Sequence, residues 1–275
     1  MHRLVRPPRA VVAAAAAVVA FAAVATAAQA GGITPPPNIK SAGKIVYCSD
    51  ITYPPEESYK KGTTTAIGSD IDIGTAIAKQ MGVKAQFDNT GFDGIIAALL
   101  SNKCDAIISG MNDTPARAKQ VSFVDYISVG QSLMVKSGNP EHIKTLSSLA
   151  GKSVSVEVGT TNKDFLDAAN KKLSKKITIV SFPHDTDAAN ALKTGKVDAY
   201  FGDSPVVAYY IQQDPKSFGF GGSPINPLPV GIAVQKKNAA LTAAIRQAVD
   251  ALYADGSMKK ILAKWHMSDF VLKGK

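Results

Sequence analysis

Residues 92–117 read FDGIIAALLSNKCDAIISGMNDTPAR. Apolar residues recur at helical spacing through 93–102, a polar turn follows, and DAIIS (105–109) is a short apolar run of the kind that forms a buried strand. Thr114 before Pro115 is a helix start, with an N-cap hydroxyl and then proline at the first helical position. Helix, strand and helix in so short a stretch predict a parallel α/β sheet. Arg117 falls in the first turn of the last helix, where the dipole disfavours a cation by roughly a few tenths of a kcal/mol. An arginine among unpaired N–H groups makes a corner suited to a carboxylate that is not part of the chain.

The same alternation extends in both directions. KIVYC (44–48) and VKAQF (83–87) read as strands flanking the helix DIDIGTAIAKQM (70–81). Downstream, GKSVSVEV (151–158), KITIVSF (176–182) and VDAYFG (197–202) read as strands. NKDFLDAANKKL (162–173), TDAANALKTG (186–195) and SPVVAYYIQQ (204–213) read as helices between and after them. AALLSNKCDA (97–106) and NALKTGKVDA (190–199) echo each other at a constant offset, each before a strand and a proline-started helix. The repeated order predicts two similar α/β lobes. SVGQSLMVKSGNP (128–140) and PINPLPVGIAVQKKN (224–238) read as extended crossovers, and 239–267 as two helices broken at Asp255-Gly256. Lobe one is expected over 43–131 plus 230–270, lobe two over 134–226, and hinge segments at 128–138 and 226–234.

Residues 1–30 have the form of an export signal: three arginines without an acid, an alanine-rich apolar run, and Ala28-Gln29-Ala30 as a small-x-small cleavage site. Cleavage near Ala30 implies a periplasmic protein with a Pro-rich flexible leader over 31–42. No later apolar run approaches the ~20 residues that span a bilayer. The net charge is +9; without Arg3, Arg6 and Arg9 it is +6, 28 basic residues against 22 acidic. The lysines are spread singly or in pairs with no aromatic interleaving, which argues against nucleic acid. His142, His184 and His266 are scattered and there is no CxxC, so neither a metal nor another cofactor is expected. Cys48 ends one strand and Cys104 precedes another. If the strands are parallel neighbours, about four residues of axial offset at ~3.3 Å each separate them, so no disulfide is expected.

In parallel α/β sheets ligands bind beyond the carboxyl ends of strands, near helix N-termini. There stand Asp50 and Tyr53 after the first strand, and Phe92 before the second helix. Ser109, Gly110 and Asn112 lead to Arg117, Gly159-Thr160-Thr161-Asn162 follows another strand, and Asp203 follows the last. Two helix N-termini and an arginine hold one carboxylate, while Asp203 from the opposite lobe holds an ammonium. That combination fits the zwitterionic head of an α-amino acid, with aromatic walls for its remainder.

The motifs SDITYPP, GSDIDIGTAIAKQMG, FDGIIAALLSNKCDAIISGM, TPARAKQVSFVDY, VEVGTT, KTGKVDAYFGD and ADGSMKKILAKW, in this order over about 43–270, resemble the extracellular solute-binding proteins of polar amino acid ABC importers, family 3. The resemblance implies two α/β lobes closing on a ligand around a two-strand hinge. It also implies a monomer that serves a membrane permease and an ATPase, with no catalytic residues. It places Arg117 on the ligand α-carboxylate, assisted by backbone amides at Asn112 and Thr161. Asp203 falls on the α-amino group, helped by the Ser109/Gly110 turn. Tyr53 and Phe92 sandwich the side chain, and Asp50 meets its polar tip. Asn112 stands where the family usually has Ser or Thr, and Glu56 where an aromatic is usual. Asp50, Glu56 and Glu57 together are read as an acidic wall favouring polar or cationic amino acids over anionic ones. The competing readings are a periplasmic dehydratase of prephenate or arogenate type, with Glu56, Glu57 or Glu157 as general acid, and the ligand-sensing partner of a receptor.

Overall fold

The computed structural model describes residues 1–2, 32–272 and 274, so the proposed export signal lies outside the described residues apart from its first two. From Gly32 onward the chain is one compact unit.

The leader contributes structure of its own. Pro36 and Pro37 start α1 (Pro37–Ala42), Gly43 ends it in the left-handed conformation, and Ile39 is fully buried against the core. Next come β1 (Lys44–Ser49) and a small antiparallel meander of β2 (Thr52–Tyr53), β3 (Glu57–Tyr59) and β4 (Ala66–Ile67). The meander is absent from the sequence reading, because two- and three-residue strands carry no measurable alternation. The chain continues through α2 (Ser69–Gln80), β5 (Lys84–Asn89), α3 (Ile95–Leu100), β6 (Ala106–Ile107) and α4 (Pro115–Ala118). The long strand β7 (Val121–Lys136) leads to β8 (Ser153–Glu157), α5 (Thr161–Lys172), β9 (Thr178–Phe182), α6 (Asp185–Lys193), β10 (Ala199–Asp203) and α7 (Ser204–Gln213). After β11 (Phe218–Phe220), β12 (Ile225–Gln235) returns, and α8 (Ala239–Ala254) and α9 (Ser257–Lys264) complete the chain.

The large sheet runs β5-β1-β6-β12-β7-β10-β8-β9, with β11 also on β7. Strands β5, β1 and β6 are mutually parallel at one end, and β10, β8 and β9 at the other. The crossovers β7 and β12 pair antiparallel from Val121↔Gln235 to Ile225↔Gln131, joining both ends in one ladder. The α/β architecture read from the sequence is present, but the two mainly parallel sheets expected are one continuous mixed sheet, with four parallel and four antiparallel pairings. The sheet is continuous because β12 pairs with β6 at one end and β7 with β10 at the other. Separate apolar clusters serve the two ends. Ile45, Tyr47, Ile73, Ile77 and Ile245 pack on the β1 side, whereas Leu149, Val154, Val156, Leu166 and Phe201 pack around β8 and β10.

The internal echo proves to be a structural one. Asp105 accepts from the Val46 N–H (2.8 Å) and its own N–H donates to the Val46 carbonyl. At the echoing position Asp198 accepts from the Ser153 N–H (2.7 Å), and its N–H donates to the Ser153 carbonyl. Each Asp thus ties the start of one strand to its parallel neighbour. The strand registers agree: Tyr47 pairs with Ala106, and Val154 with Ala199.

The expectation about the cysteines was wrong. Cys48 and Cys104 are disulfide-bonded with their Cα atoms 5.6 Å apart. Cys48 pairs with Ile107, and three extended residues from 107 back to 104 would span ~10 Å. The chain instead turns before β6, which begins only at Ala106, and brings Cys104 back to Cys48 within the cluster of Ile95, Ala98 and Leu99.

Candidate functional site: the cleft between the sheet ends

A small, nearly closed cavity of about 10 Å³ lies where the carboxyl ends of the strands from both sides meet. Its wall is formed by Asp50, Tyr53, Phe92, Gly110, Asn112 and Arg117 from the β1 side, and by Glu157, Thr160, Thr161, Asn162 and Asp203 from the β8 side. Ten of the residues singled out in the sequence are therefore brought together. Ser109 stands behind the wall, where its hydroxyl accepts from the Asp50 N–H (2.9 Å) and donates to Glu57 (2.7 Å).

Arg117 enters from α4, whose N-cap Thr114 accepts the Arg117 N–H as the Thr-Pro start requires. Its guanidinium donates to the Asn112 carbonyl (2.9 Å) and, across the cleft, to the Gly159 carbonyl (3.0 Å), and it stacks over Phe92 at 5.3 Å. Guanidinium has five N–H donors, so further donors remain for a ligand. Asn112 forms a bridge with Val230 that is closed by the Asp113 and Gly231 amides, so neither bond uses the Asn112 N–H. At α5 the N-cap Thr160 accepts the Lys163 N–H, leaving the amides of Thr161 and Asn162 at the positive end of a twelve-residue helix.

Asp203 ends β10 and stands at the N-cap position of α7, with no capping bond from its side chain. It accepts from Asn162 Nδ2 (3.0 Å), and its N–H donates to the Tyr53 hydroxyl (3.3 Å). Burial raises its pKa to about 6, with Asn162, Tyr53 and Arg117 opposing the rise. Asp50 accepts from the Thr52 hydroxyl (2.7 Å) and the Phe92 N–H (2.8 Å). Burial also raises Asp50 and, more strongly, Glu157. Glu157 Oε1 and Asn162 Oδ1 are buried acceptors with no hydrogen-bond partner.

Two glycines are dictated by close approach. Gly110 has φ +48 and a Cβ there would meet the Tyr53 ring at 3.0 Å; Gly159 has φ +76 and its Cβ would lie 2.8 Å from Asp93 Cα. The Gly110 N–H is held by Asp70 (2.9 Å), which also accepts from Tyr126 (2.6 Å). Further bonds across the cleft join Thr161 to Asn112 Oδ1 (2.6 Å) and the Asp185 N–H to Thr52 (3.3 Å).

The acidic wall is composed differently from the sequence reading. Glu56 and Glu57 do not line the cavity; both are buried beneath it, with burial and Asp70 pushing them well up. Glu157 takes their place from the opposite side. Its end-of-strand position before Gly159 was the available signal, and the sequence reading used it only for a general acid. Asp70 gave no such signal, because an acid in a helix's first turn is ordinary dipole chemistry.

A family model of bacterial extracellular solute-binding proteins, family 3, matches residues 45–268. ABC transporter arginine-binding protein 1 of Escherichia coli (strain K12) is 33% identical over 237 residues, spanning 82% of this chain and 91% of that protein. Among solved structures, an ancestral arginine-binding protein bound to arginine superposes with a TM-score of 0.77 at 37% identity, covering 81% of this chain and 98% of that one. The ancestral amino acid-binding protein AncCDT-1, a precursor of cyclohexadienyl dehydratase, superposes with a TM-score of 0.77 at 32% identity, covering 83% and 97%. On the match over 45–268, the chain belongs to the bacterial extracellular solute-binding proteins, family 3.

Proposed function

We propose that the protein captures a cationic α-amino acid, arginine foremost, in the periplasm and presents it to the permease and ATPase of an ABC importer. The observation that carries this reading is the charge of the cavity wall: three carboxyls, Asp50, Glu157 and Asp203, against one guanidinium, Arg117. The zwitterionic head uses Arg117, with the free amides of Asn112 and Thr161, for its carboxylate. It uses Asp203 for its ammonium. Asp50 and Glu157 are left over, and a positive side chain matches them, whereas an anionic one meets like charge in a desolvated site. Relatives of similar length include proteins named for binding arginine, lysine, ornithine or histidine, and one named for L-cystine.

The lobes are those of the sequence reading, 43–131 with 230–270 and 134–226, and they move about β7 and β12. The bonds from Arg117, Thr161 and Tyr53 to partners across the cleft act as closure contacts. A dehydratase needs a general acid at a leaving hydroxyl; the similar ancestral structure that touches on such an enzyme is itself described as amino acid-binding. Isothermal titration with arginine, lysine, histidine, glutamine and glutamate tests the proposal. Arginine is expected to bind tightest, and glutamate as the tightest ligand would overturn it.

A further inference from the structure

Asp50 and Glu157 occupy equivalent places in the internal repeat. Tyr47 and Val154 pair with the echoing residues Ala106 and Ala199, and the acids lie three positions beyond each, just past β1 and at the end of β8. The repeat therefore brings two carboxyls face to face from opposite sides of the cleft. They are 1% and 3% exposed and line the same small cavity. Two buried carboxyls sharing one cavity oppose each other's ionisation.

We propose that this carboxyl pair holds one proton in the ligand-free protein, and that a cationic side chain displaces it on binding. The inference rests on the reading of the site as one for cationic amino acids. In the empty site Glu157 carries the proton. When a guanidinium or ammonium enters, both carboxyls become acceptors and the proton leaves to solvent, so charge in the cavity is conserved. Asp50 already satisfies its oxygens with Thr52 and Phe92. The unpartnered Glu157 Oε1 is the acceptor that the ligand completes. A neutral side chain of the same shape provides no counter-charge and leaves the proton in place.

The groups facing the pair reinforce this. Asp185 approaches from the start of α6 and His184 from the residue before it, Asp203 from β10, Tyr210 from α7, and Tyr53 and Glu57 from the meander. All but His184 are acids or neutral phenols, so a second negative charge on the pair is opposed until a cation arrives. Arg117, the cavity's basic residue, is committed to two carbonyls and acts on Asp203. The arrangement makes Glu157 a specificity-determining residue and couples capture to pH.

The test is calorimetry at pH 7.5 in two buffers of different ionisation enthalpy, titrating arginine and its neutral isostere citrulline. Wild-type protein is expected to release about one proton per arginine and none per citrulline, which makes arginine affinity rise by up to about tenfold per pH unit where the pair titrates. Glu157→Gln is expected to abolish the arginine-linked release and cut the arginine-to-citrulline preference at least tenfold. Arginine binding with a buffer-independent enthalpy in the wild type would overturn the proposal without needing any variant to fold. Proton release surviving in Glu157→Gln would overturn it too, by assigning the proton elsewhere. Failure of every amino acid to bind would instead refute the functional reading beneath it.

Discussion

Replacing Arg117 tests the head-group assignment most directly. Its guanidinium is half-buried and fixed by the Asn112 and Gly159 carbonyls at 2.9 and 3.0 Å and by the Phe92 ring at 5.3 Å. It is therefore pre-aimed, and little side-chain entropy is lost when a carboxylate arrives. Two charge-assisted hydrogen bonds at about 1.5–3 kcal/mol each give about 3–6 kcal/mol. At about 1.4 kcal/mol per decade, Arg117→Ala is expected to weaken arginine binding by about 10²–10⁴-fold. Arg117→Lys keeps the charge and loses the fork, so it should fall between the two. Isothermal titration on the three proteins, with ligand-free melting midpoints as a folding control, measures this. Affinity within about threefold of wild type in a folded Arg117→Ala protein would refute the reasoning, since the carboxylate would then be held by the α5 amides alone.

Three other consequences follow from particular contacts. Burial raises Asp70 and Asp203 to about 6 and Asp185 to about 7, from 3.8, so between about pH 4 and 7 the folded state binds more protons than the unfolded one. The stability these groups contribute is full below about pH 4 and is lost as pH rises through 6 to 7; the ligand-free melting midpoint should be higher at pH 5 than at 7.5, and a steady fall on acidification sinks this. Gly159→Ala places a Cβ 2.8 Å from Asp93 Cα across the cleft and is expected to weaken arginine binding by at least about tenfold. Gly82→Ala, with φ +68 and open space around it, should lower stability by about 1 kcal/mol and leave affinity alone; equal effects on affinity would contradict closure at Gly159. Removing the Cys48–Cys104 bridge, which spans 56 residues, with paired Cys→Ser changes should lower the unfolding free energy by about 4 kcal/mol, and an unchanged denaturant midpoint would rule this out.

What the sequence made legible is what repeats or alternates. The βα order, the Thr-Pro and Ser-Pro helix starts and the echo at Asp105 and Asp198 all carry local signals, and each stands where read. The residues at strand ends were legible for the same reason, because the topology of a parallel sheet fixes where strand ends converge. Three things were not legible. The disulfide depended on a reversal before β6 that no residue pattern announces, since Cys104 lies in the irregular segment between α3 and β6. The place of Glu56 and Glu57 depended on the β2–β4 meander, whose strands are too short to show a period. The pairing of Asp50 with Glu157 needed both sides of the cleft in register. It was nevertheless implicit in the echo, which relates the strands that carry the two acids.

The layering of acids around the cleft explains how a site this negative stays folded when empty. Asp50 is held by Thr52 and the Phe92 amide, Asp203 by Asn162, and Asp185 by Tyr200 and Tyr210. Beneath them Asp70 is fixed by Tyr126 and the Gly110 amide, with Glu56 and Glu57 pushed far above the usual carboxylate range. Burial favours the neutral form of each, so protons stand in for the missing cations. Asp50, Glu157 and Asp203 line the cavity, where a ligand's charge can reach them, whereas Asp70 in the inner layer holds the Gly110 amide and keeps the Ser109–Gly110 turn in place whatever is bound. A cationic amino acid thus completes the electrostatics of the cleft as well as its hydrogen bonds. Any ligand that binds only the folded form also stabilises it by mass action. Stabilisation by arginine should therefore grow with pH, as the protons that substitute for it become harder to keep.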